Sequence, residues 1–180
     1  MSLDLIEALA TAPELAGWDG LGLAVQAYQK RALPIIDWLA DLAHRADRRL
    51  MVRLCKGAYW DAEIKIAQER GLPDYPVFTR KGSSDLSYLA CARRLFADPQ
   101  AFYPAFATHN AHTLAAVAEI AVSAGGSDEW EYQRLHGMGE ELYDQVVGKD
   151  QWNRPCRIYA PVGSHEELLA YLVRRLLENG

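Results

Sequence analysis

The last ten residues of the chain, "YLVRRLLENG", place two adjacent arginines and a glutamate among leucines. Ser164, followed three residues later by a glutamate, matches a capping box and predicts that a helix begins there. At about 100° per residue, Arg174, Arg175 and Glu178 fall on an arc roughly opposite the leucine stripe. Periodicity alone favours a solvated face with an Arg174–Glu178 ion pair. The other interpretation is that the two guanidinium groups hold a ligand.

Two more cationic residues, Arg53 and Lys56, occur in "VRLCKGAYW". Lys56 directly precedes Gly57, at the end of a predicted strand. Cationic side chains bind anions through charge-assisted hydrogen bonds, and a glycine lets the backbone approach a ligand closely. The same residues could instead pair with acids on neighbouring strands. Both interpretations stay open on sequence grounds.

Histidines and cysteines give little sign of a metal or redox site. His109 and His112 in "THNAH" could ligate a metal from one helical face, but no third ligand with suitable spacing is evident. Cys55, Cys91 and Cys156 are far apart and form no Cys-x-x-Cys pair. They are predicted to be small buried side chains.

Composition narrows the function classes. The chain has 180 residues, 50% of them hydrophobic and 24% charged, with a net charge of −5, which is typical of a folded soluble domain. Mild acidity and the lack of a Lys/Arg run argue against nucleic-acid binding through this segment. No apolar run approaches the roughly 18 residues that span a bilayer, and acids stand near the N-terminus where a secretory signal carries bases. We therefore expect a cytoplasmic protein.

The elements that must position these residues alternate along the chain. Helices are predicted at 2–11, 34–46, 61–70, 84–97 and 111–124. Strands are predicted at 21–28, 50–60, 101–110, 129–139 and 156–163. Such alternation indicates a parallel sheet with crossover helices.

Two parallel architectures compete for this pattern. A doubly wound nucleotide-binding domain normally shows a glycine-rich G-x-G-x-x-G turn or a P-loop, and neither occurs here. A (β/α)8 TIM barrel collects its chemistry at the C-terminal ends of its strands. That is where the polar residues of this sequence cluster: Gln26, Arg53, Lys56, Thr108, His109, Asn110, Arg134, His136 and Tyr159. Since a barrel of this kind takes about 250 residues, we expect an α/β fold that forms a partial (β/α)8 barrel.

Seven ordered segments carry a specific resemblance: "QAYQKR", "RLCKGAYWDAEI", "YPVFTRK", "SYLACARRL", "FATHNAHT", "QRLHGMGE" and "RIYAPVGSHEELLAYLVRRLLENG". Together they resemble the second half of the proline dehydrogenase domain of bacterial bifunctional PutA proteins, and the likeness is weakest around 121–130. The resemblance implies that residues 1–180 are the C-terminal portion of that barrel and supply strands four to eight.

The family resemblance implies an FAD-dependent oxidation of L-proline to Δ1-pyrroline-5-carboxylate, on a distorted barrel without a Rossmann motif. By matching position, the implied cofactor contacts are Gln26, Arg53, Lys56, Gly57, Ala58, Trp60, Thr79, Lys81, Thr108, His109, Asn110 and Glu178. Leu54 and Leu135 are expected to wall the space beside the flavin. Cys55 stands where the family pattern leads us to expect valine.

The resemblance also reverses the interpretation of the closing helix. It implies that this helix lies over the barrel mouth, where Arg174 and Arg175 hold the substrate carboxylate. Tyr159 is expected to flank the proline ring, and Arg53 to place positive charge near the flavin. Arg53 and Tyr159 are therefore the predicted catalytic residues.

The implied partners are L-proline and a quinone or another electron acceptor. A homo-oligomer and a peripheral association of a longer parent protein with the inner membrane are further expectations. The family's first-strand lysine and an early aspartate have no counterpart, which leaves open whether the chain turns over alone. Two alternatives remain: a related barrel oxidoreductase for another cyclic amino acid, and a non-catalytic fragment without FAD.

Overall fold

The computed structural model describes residues 2–125 and 128–179, and for Glu167 and residues 176–179 it describes the backbone only. The strands are β1 Gly22–Gln26, β2 Leu50–Cys55, β3 Phe102–Ala107, β4 Glu131–Leu135 and β5 Cys156–Tyr159. The helices are α1 Ser2–Ala10, α2 Ala32–Arg45, α3 Trp60–Glu69, α4 Lys81–Phe96, α5 Ala111–Ser123, α6 Glu140–Val147 and α7 His165–Asn179. A short 3-10 helix spans Pro13–Leu15.

The five strands form one parallel sheet in the order β1-β2-β3-β4-β5. In a doubly wound sheet the strand order reverses at a switch point, whereas in a barrel each strand lies beside the next one along the chain. The sequential order is therefore that of a (β/α)8 barrel segment, and the predicted fold class is confirmed. All five predicted strands are present.

The helix-facing side of the sheet forms the hydrophobic core. Val25, Leu54, Phe106 and Tyr132 lie side by side in register on four adjacent strands, and all of them are buried. Parallel sheets covered by crossover helices read as near-continuous apolar runs for this reason. The main helical contributors to this core are Ile36, Leu39, Leu42, Tyr88, Leu95, Leu114 and Val117.

The other side of the sheet, which we call the inner face, is polar. Because side chains alternate along a strand, register fixes which residues share it. One row holds Ala24, Arg53, Ala105 and Glu131, and the next holds Gln26, Cys55, Ala107, Gln133 and Arg157. Leu135 and Tyr159 form the row at the C-terminal end.

The structure corrects one sequence expectation and adds two details. Leu54 belongs to the helix-facing core, so it does not wall an inner-face site. Arg134 also lies on the helix-facing side, because it alternates with Gln133, and its Nη1 is 3.6 Å from Glu140 Oε1. Helix α6 had no counterpart among the predicted elements.

The predicted start of the closing helix is confirmed. α7 begins at His165, directly after Ser164, and the Leu168 amide donates to the Ser164 carbonyl at 3.0 Å. Across the described ranges, no helix combines the length and apolar character needed to cross a membrane.

Candidate active site

A cleft of about 570 Å³ opens at the carboxyl ends of β1 and β2. The turn after β2 and the N-terminal end of α4 line it, and Arg174 of α7 also contributes to it. The full lining is Tyr28, Lys56, Gly57, Ala58, Tyr59, Trp60, Asp61, Ala62, Phe78, Thr79, Lys81, Ser84, Asp85 and Arg174. Seven residues predicted from sequence therefore meet here: Lys56, Gly57, Ala58, Trp60, Thr79, Lys81 and Arg174.

Lys56 and Lys81 share one carboxylate in this cleft. Lys56 is only 7% exposed, and its Nζ lies 2.7 Å from Asp85 Oδ1, while Lys81 Nζ lies 3.2 Å from Asp85 Oδ2. Burial acts to raise the pKa of Asp85, but the contacts with Lys56 and Lys81 outweigh it and leave that pKa below its ordinary value. Lys56 thus pairs with an acid, but this acid lies on α4 and not on a neighbouring strand as one interpretation from sequence had it.

The charge of the lining remains positive. Lys56, Lys81 and Arg174 face the cleft together with the carboxylates of Asp61 and Asp85. Three cations against two anions leave one net positive charge, which suits a ligand that carries negative charge.

Gly57, in the turn after β2, packs closely against Tyr28, which follows β1. Its φ is +128°, and a Cβ at this position would lie 2.5 Å from Cγ of the buried Tyr28. The Tyr28 carbonyl accepts from the Phe78 amide at 2.8 Å, and the Phe78 carbonyl accepts from Trp60 Nε1 at 2.8 Å. These contacts tie the turn after β2 to the segment that precedes α4.

The two α7 arginines point toward the turn after β2. Their Cζ atoms lie 5.4 Å (Arg174) and 5.6 Å (Arg175) from the ring centroid of Tyr59, and Arg175 Cζ is also 4.7 Å from that of Tyr171. Arg175 is 8% exposed, so the solvated face favoured by periodicity is wrong for it. Among the described side chains, the buried Nε of Arg174 has no hydrogen-bond partner. The side chain of Glu178, the third residue of that arc, lies outside the described residues.

A connected polar network crosses the inner face of the sheet. Arg53 Nε donates to Gln133 Oε1 at 2.9 Å, and its Cζ lies 4.9 Å from the ring centroid of Tyr159. Gln133 Nε2 donates to Glu131 Oε1 at 2.8 Å. Arg157 donates to both oxygens of Glu131, at 2.8 and 2.9 Å.

Sequence reasoning missed Glu131 and Gln133 on the inner face, and Tyr59 beside the arginines. The period-2 alternation of "EYQRL" sets residues 131, 133 and 135 on one side of the strand, but it does not say that this side is the inner face. For Tyr59 no sequence signal was available, because its contact with α7 joins parts of the chain that are far apart.

The stretch after β3 is held by its own contacts. The Thr108 hydroxyl accepts from the Asn110 amide at 3.1 Å, and the Thr108 carbonyl accepts from the Tyr143 hydroxyl at 2.8 Å. Asn110 caps α5, because its Oδ1 accepts from the Thr113 amide at 2.9 Å. The expected cofactor contacts of Thr108 and Asn110 stay predictions.

His109 and Leu135 meet at the end of β4. His109 Nε2 accepts from the Leu135 amide at 3.0 Å, and Leu135 lies in register with Tyr159. Gln26 ends β1 beside Cys55. No group of three or more His, Cys, Asp or Glu within the described part of the chain could hold a metal ion.

Comparison with known proteins agrees with the resemblance seen in the sequence. A family-wide sequence profile described as proline dehydrogenase matches residues 1–180. The bifunctional protein PutA of Klebsiella aerogenes is 64% identical over 183 residues, which cover 100% of this chain and 14% of that protein. PutA of Rhizobium meliloti is 57% identical over 180 residues, covering 100% of this chain and 15% of that protein.

The comparison with solved structures also finds PutA. A crystal structure of Bradyrhizobium japonicum PutA is 62% identical, with a TM-score of 0.88 over 99% of this chain and 18% of that one. The chain thus spans about a seventh of the length of the curated relatives that it matches. The family profile covers the whole sequence, and the structural likeness covers nearly all of it. This chain belongs to the proline dehydrogenase family.

Proposed function

We propose that this chain supplies the cofactor- and substrate-binding end of a barrel that oxidises L-proline to Δ1-pyrroline-5-carboxylate with FAD. Family membership supports the reaction class. The observation that carries the proposal is that residues from three separate parts of the sequence line one cleft: residues 56–60, Thr79 with Lys81, and Arg174.

The residues around the cleft fit a flavin dinucleotide. Lys56 and Lys81 offer positive charge to a diphosphate, and Gly57 lets the backbone approach a ligand. Trp60 and Tyr59 offer aromatic surface to a flat ring system. When bound, FAD would supply the hydride acceptor that no protein side chain provides. Gln26, Arg53, Thr108, His109, Asn110 and Glu178 are proposed as further contacts.

The α7 arginines fit the carboxylate of a small amino acid. A guanidinium fork grips a carboxylate through two parallel hydrogen bonds, each worth about 1.5–3 kcal/mol. The buried Nε of Arg174 has no hydrogen-bond partner among the described side chains, as expected for a donor that binds an anionic ligand. Tyr159 and Leu135, paired at the end of the sheet, would border the ring and limit its size.

A quinone or another acceptor is proposed to take the electrons from the reduced cofactor. We also propose a cytoplasmic protein that binds the inner membrane peripherally as part of a longer parent and forms a homo-oligomer. These proposals rest on the family resemblance alone.

Flavin binding and turnover test the proposal in two steps. The purified chain is first titrated with FAD, and visible flavin bands are expected to remain with the protein after gel filtration. Turnover is then measured in a chimera in which this chain replaces the matching 183 residues of Klebsiella aerogenes PutA. L-proline is expected to bleach the flavin bands of the chimera.

Two outcomes would overturn the proposal. A folded chain and chimera that both fail to retain FAD would favour the non-catalytic fragment. A flavin-loaded chimera that is bleached by another cyclic amino acid but not by proline would favour a related oxidoreductase. The unmodified PutA serves as the positive control for both steps.

A further inference from the structure

We infer that Gln133 is a positioning residue that fixes the direction of the Arg53 guanidinium. This inference rests on the proposed function for its catalytic consequence. Neither residue type nor sequence spacing points to it, since Gln133 sits on β4 and Arg53 on β2, two strands away. The contact between them is the 2.9 Å hydrogen bond from Arg53 Nε to Gln133 Oε1.

The two side chains meet because the strand between them carries small residues at the two positions in register with them. Neighbouring strands lie about 4.8 Å apart, so β2 and β4 are separated by roughly twice that distance. On β3, the residues in register with Arg53 and Gln133 are Ala105 and Ala107. Their methyl groups leave room for the longer side chains to make contact above β3.

The orientation of the Gln133 amide is set by its other neighbour. Glu131 is 4% exposed, and both of its oxygens are engaged by Arg157, which marks it as a carboxylate acceptor. A carboxylate can only accept, so Gln133 must present its Nε2 donor to Glu131. The Oε1 acceptor is thereby turned toward Arg53.

An amide suits this role better than a second carboxylate. It accepts the Arg53 Nε–H without adding negative charge beside the guanidinium, so this contact aligns Arg53 but does not neutralise it. On its other side the guanidinium lies 4.9 Å from the ring centroid of Tyr159. Arg53 thus contacts a fixed acceptor, Gln133 Oε1, and the aromatic face of Tyr159.

The first test measures the alignment itself, without cofactor. In the purified chain, NMR of the arginine side chains is expected to show an Arg53 Nε–H that is protected from solvent exchange. In Gln133→Met, the exchange rate of the Arg53 Nε–H with solvent should rise about tenfold or more, because a thioether accepts hydrogen bonds only weakly. Gln68→Met is the matched control, since Gln68 also makes one side-chain hydrogen bond, to the Tyr75 hydroxyl, but on the surface. Equal protection in wild type and Gln133→Met would overturn the inference.

The second test measures the consequence in the flavin-loaded chimera. Gln133→Met is expected to lower kcat about tenfold, to change KM for proline by less than about twofold, and to shift the flavin reduction potential downward. Gln68→Met should match wild type in all three. A Gln133→Met chimera that retains flavin with unchanged kcat and potential would overturn the inference, although the proposed function would stand.

A conservative variant separates alignment from simple loss of packing. In Gln133→Glu, the new carboxylate lies beside Glu131 and Arg53, and Arg157 is in register with it. Tyr103 and Tyr159 lie on the same face, next to Glu131 and Leu135 respectively. Once protonated, the new side chain regains one donor for Glu131 and one acceptor for Arg53. Activity relative to wild type is therefore expected to recover as pH falls, whereas Gln133→Met should show no such recovery. Parallel pH profiles for the two variants, with activity lost in proportion to thermal stability, would indicate a merely structural role.

Discussion

Gly57 has a backbone conformation, φ +128°, that residues with a Cβ rarely adopt. A Cβ here would also lie 2.5 Å from the ring of Tyr28, well inside contact distance. Gly57→Ala should therefore destabilise the fold by about 2–3 kcal/mol, from backbone strain and overpacking together. Urea denaturation followed by circular dichroism measures the change.

Gly82 provides the matched control for this substitution. It lies in the first turn of α4, and an added Cβ would meet nothing within 4 Å. Gly82→Ala should raise stability by up to about 1 kcal/mol, since alanine favours the helix. Equal effects of the two substitutions would show that Gly57 is not conformationally required.

Asp85 should make stability depend on pH through its contacts with Lys56 and Lys81. Its folded-state pKa is lowered, so its stabilising contribution is present above the ordinary carboxylate pKa and is lost as pH falls through the lower, folded-state value. At pH 7, Asp85→Asn should cost about 1–2 kcal/mol, less than for a fully buried pair because Asp85 is partly exposed.

The pH series supplies the check on this assignment. The difference between wild type and Asp85→Asn should shrink toward zero as pH falls through the acid range, because protonated aspartate and asparagine are both neutral. Asp144→Asn, on the exposed part of α6, should differ from wild type by less than about 0.5 kcal/mol throughout. A difference that persists unchanged in acid would show that charge is not its cause.

Helix α7 shows how far an element can be predicted from sequence. Its capping signal located the first turn, and periodicity located the arc that carries Arg174 and Arg175. A helical wheel gives only relative angles, however, and cannot say which arc faces the rest of the molecule. The contact with Tyr59 decides this, and it depends on how α7 returns across the ends of β1 and β2.

The orientation of α7 leads to a prediction for substrate binding. In the chimera, Arg174→Met should raise KM for proline by about 10- to 100-fold, the equivalent of one lost charge-assisted contact. The change in kcat should be smaller, since the carboxylate is remote from the reacting carbon. Steady-state kinetics at constant flavin loading provide the measurement.

Arg93 offers a control with the same chemistry. It is exposed on α4, away from the residues that line the cleft, so Arg93→Met should leave KM within about twofold of wild type. If Arg174→Met left the KM for proline equally unchanged, Arg174 would not be the residue that binds the carboxylate.

The sheet was predictable in its strands and less so in its faces. Runs such as "LMVRLC" identify buried strands because one side is continuously apolar. β4 is harder, since "EYQRL" carries polar side chains on both sides and gives no sign of which side meets the helices. The small residues of β3, Ala105 and Ala107, decide where the polar chains of β2 and β4 meet, and this requires the register.

The whole molecule divides into an apolar layer between sheet and helices and a polar inner face. The apolar layer holds the strands in register, and the register in turn aligns the Arg53–Gln133–Glu131–Arg157 network. The alternation of elements predicted a parallel sheet with crossover helices, and the family resemblance implied the sequential strand order of a barrel. It could not predict the inner-face contacts, because each of them joins side chains from different strands.

Trp130 is the residue through which this layered arrangement can be tested as a unit. It is 2% exposed and lies just before β4. Its ring makes edge-to-face contacts with Phe96 of α4, Phe106 of β3 and Tyr132 of β4, at centroid distances of 5.5, 5.7 and 4.9 Å. One side chain therefore connects a helix with two strands.

Trp130→Ala should cost about 3–5 kcal/mol of folding free energy, because the cavity and the lost aromatic contacts add together. Trp130→Phe should cost less, since it keeps part of the ring surface. Trp18→Ala is the control: Trp18 is 53% exposed, and its removal should cost less than about 1 kcal/mol. Denaturant unfolding of the wild type and the three variants, monitored by circular dichroism in the far and near ultraviolet, tests this order of stabilities.

Because the apolar layer holds both the cleft and the inner-face network, a single cooperative unfolding transition is expected in each protein. Separate transitions for the cleft and the core, or equal costs for Trp130→Ala and Trp18→Ala, would mean that the layer does not hold the site together.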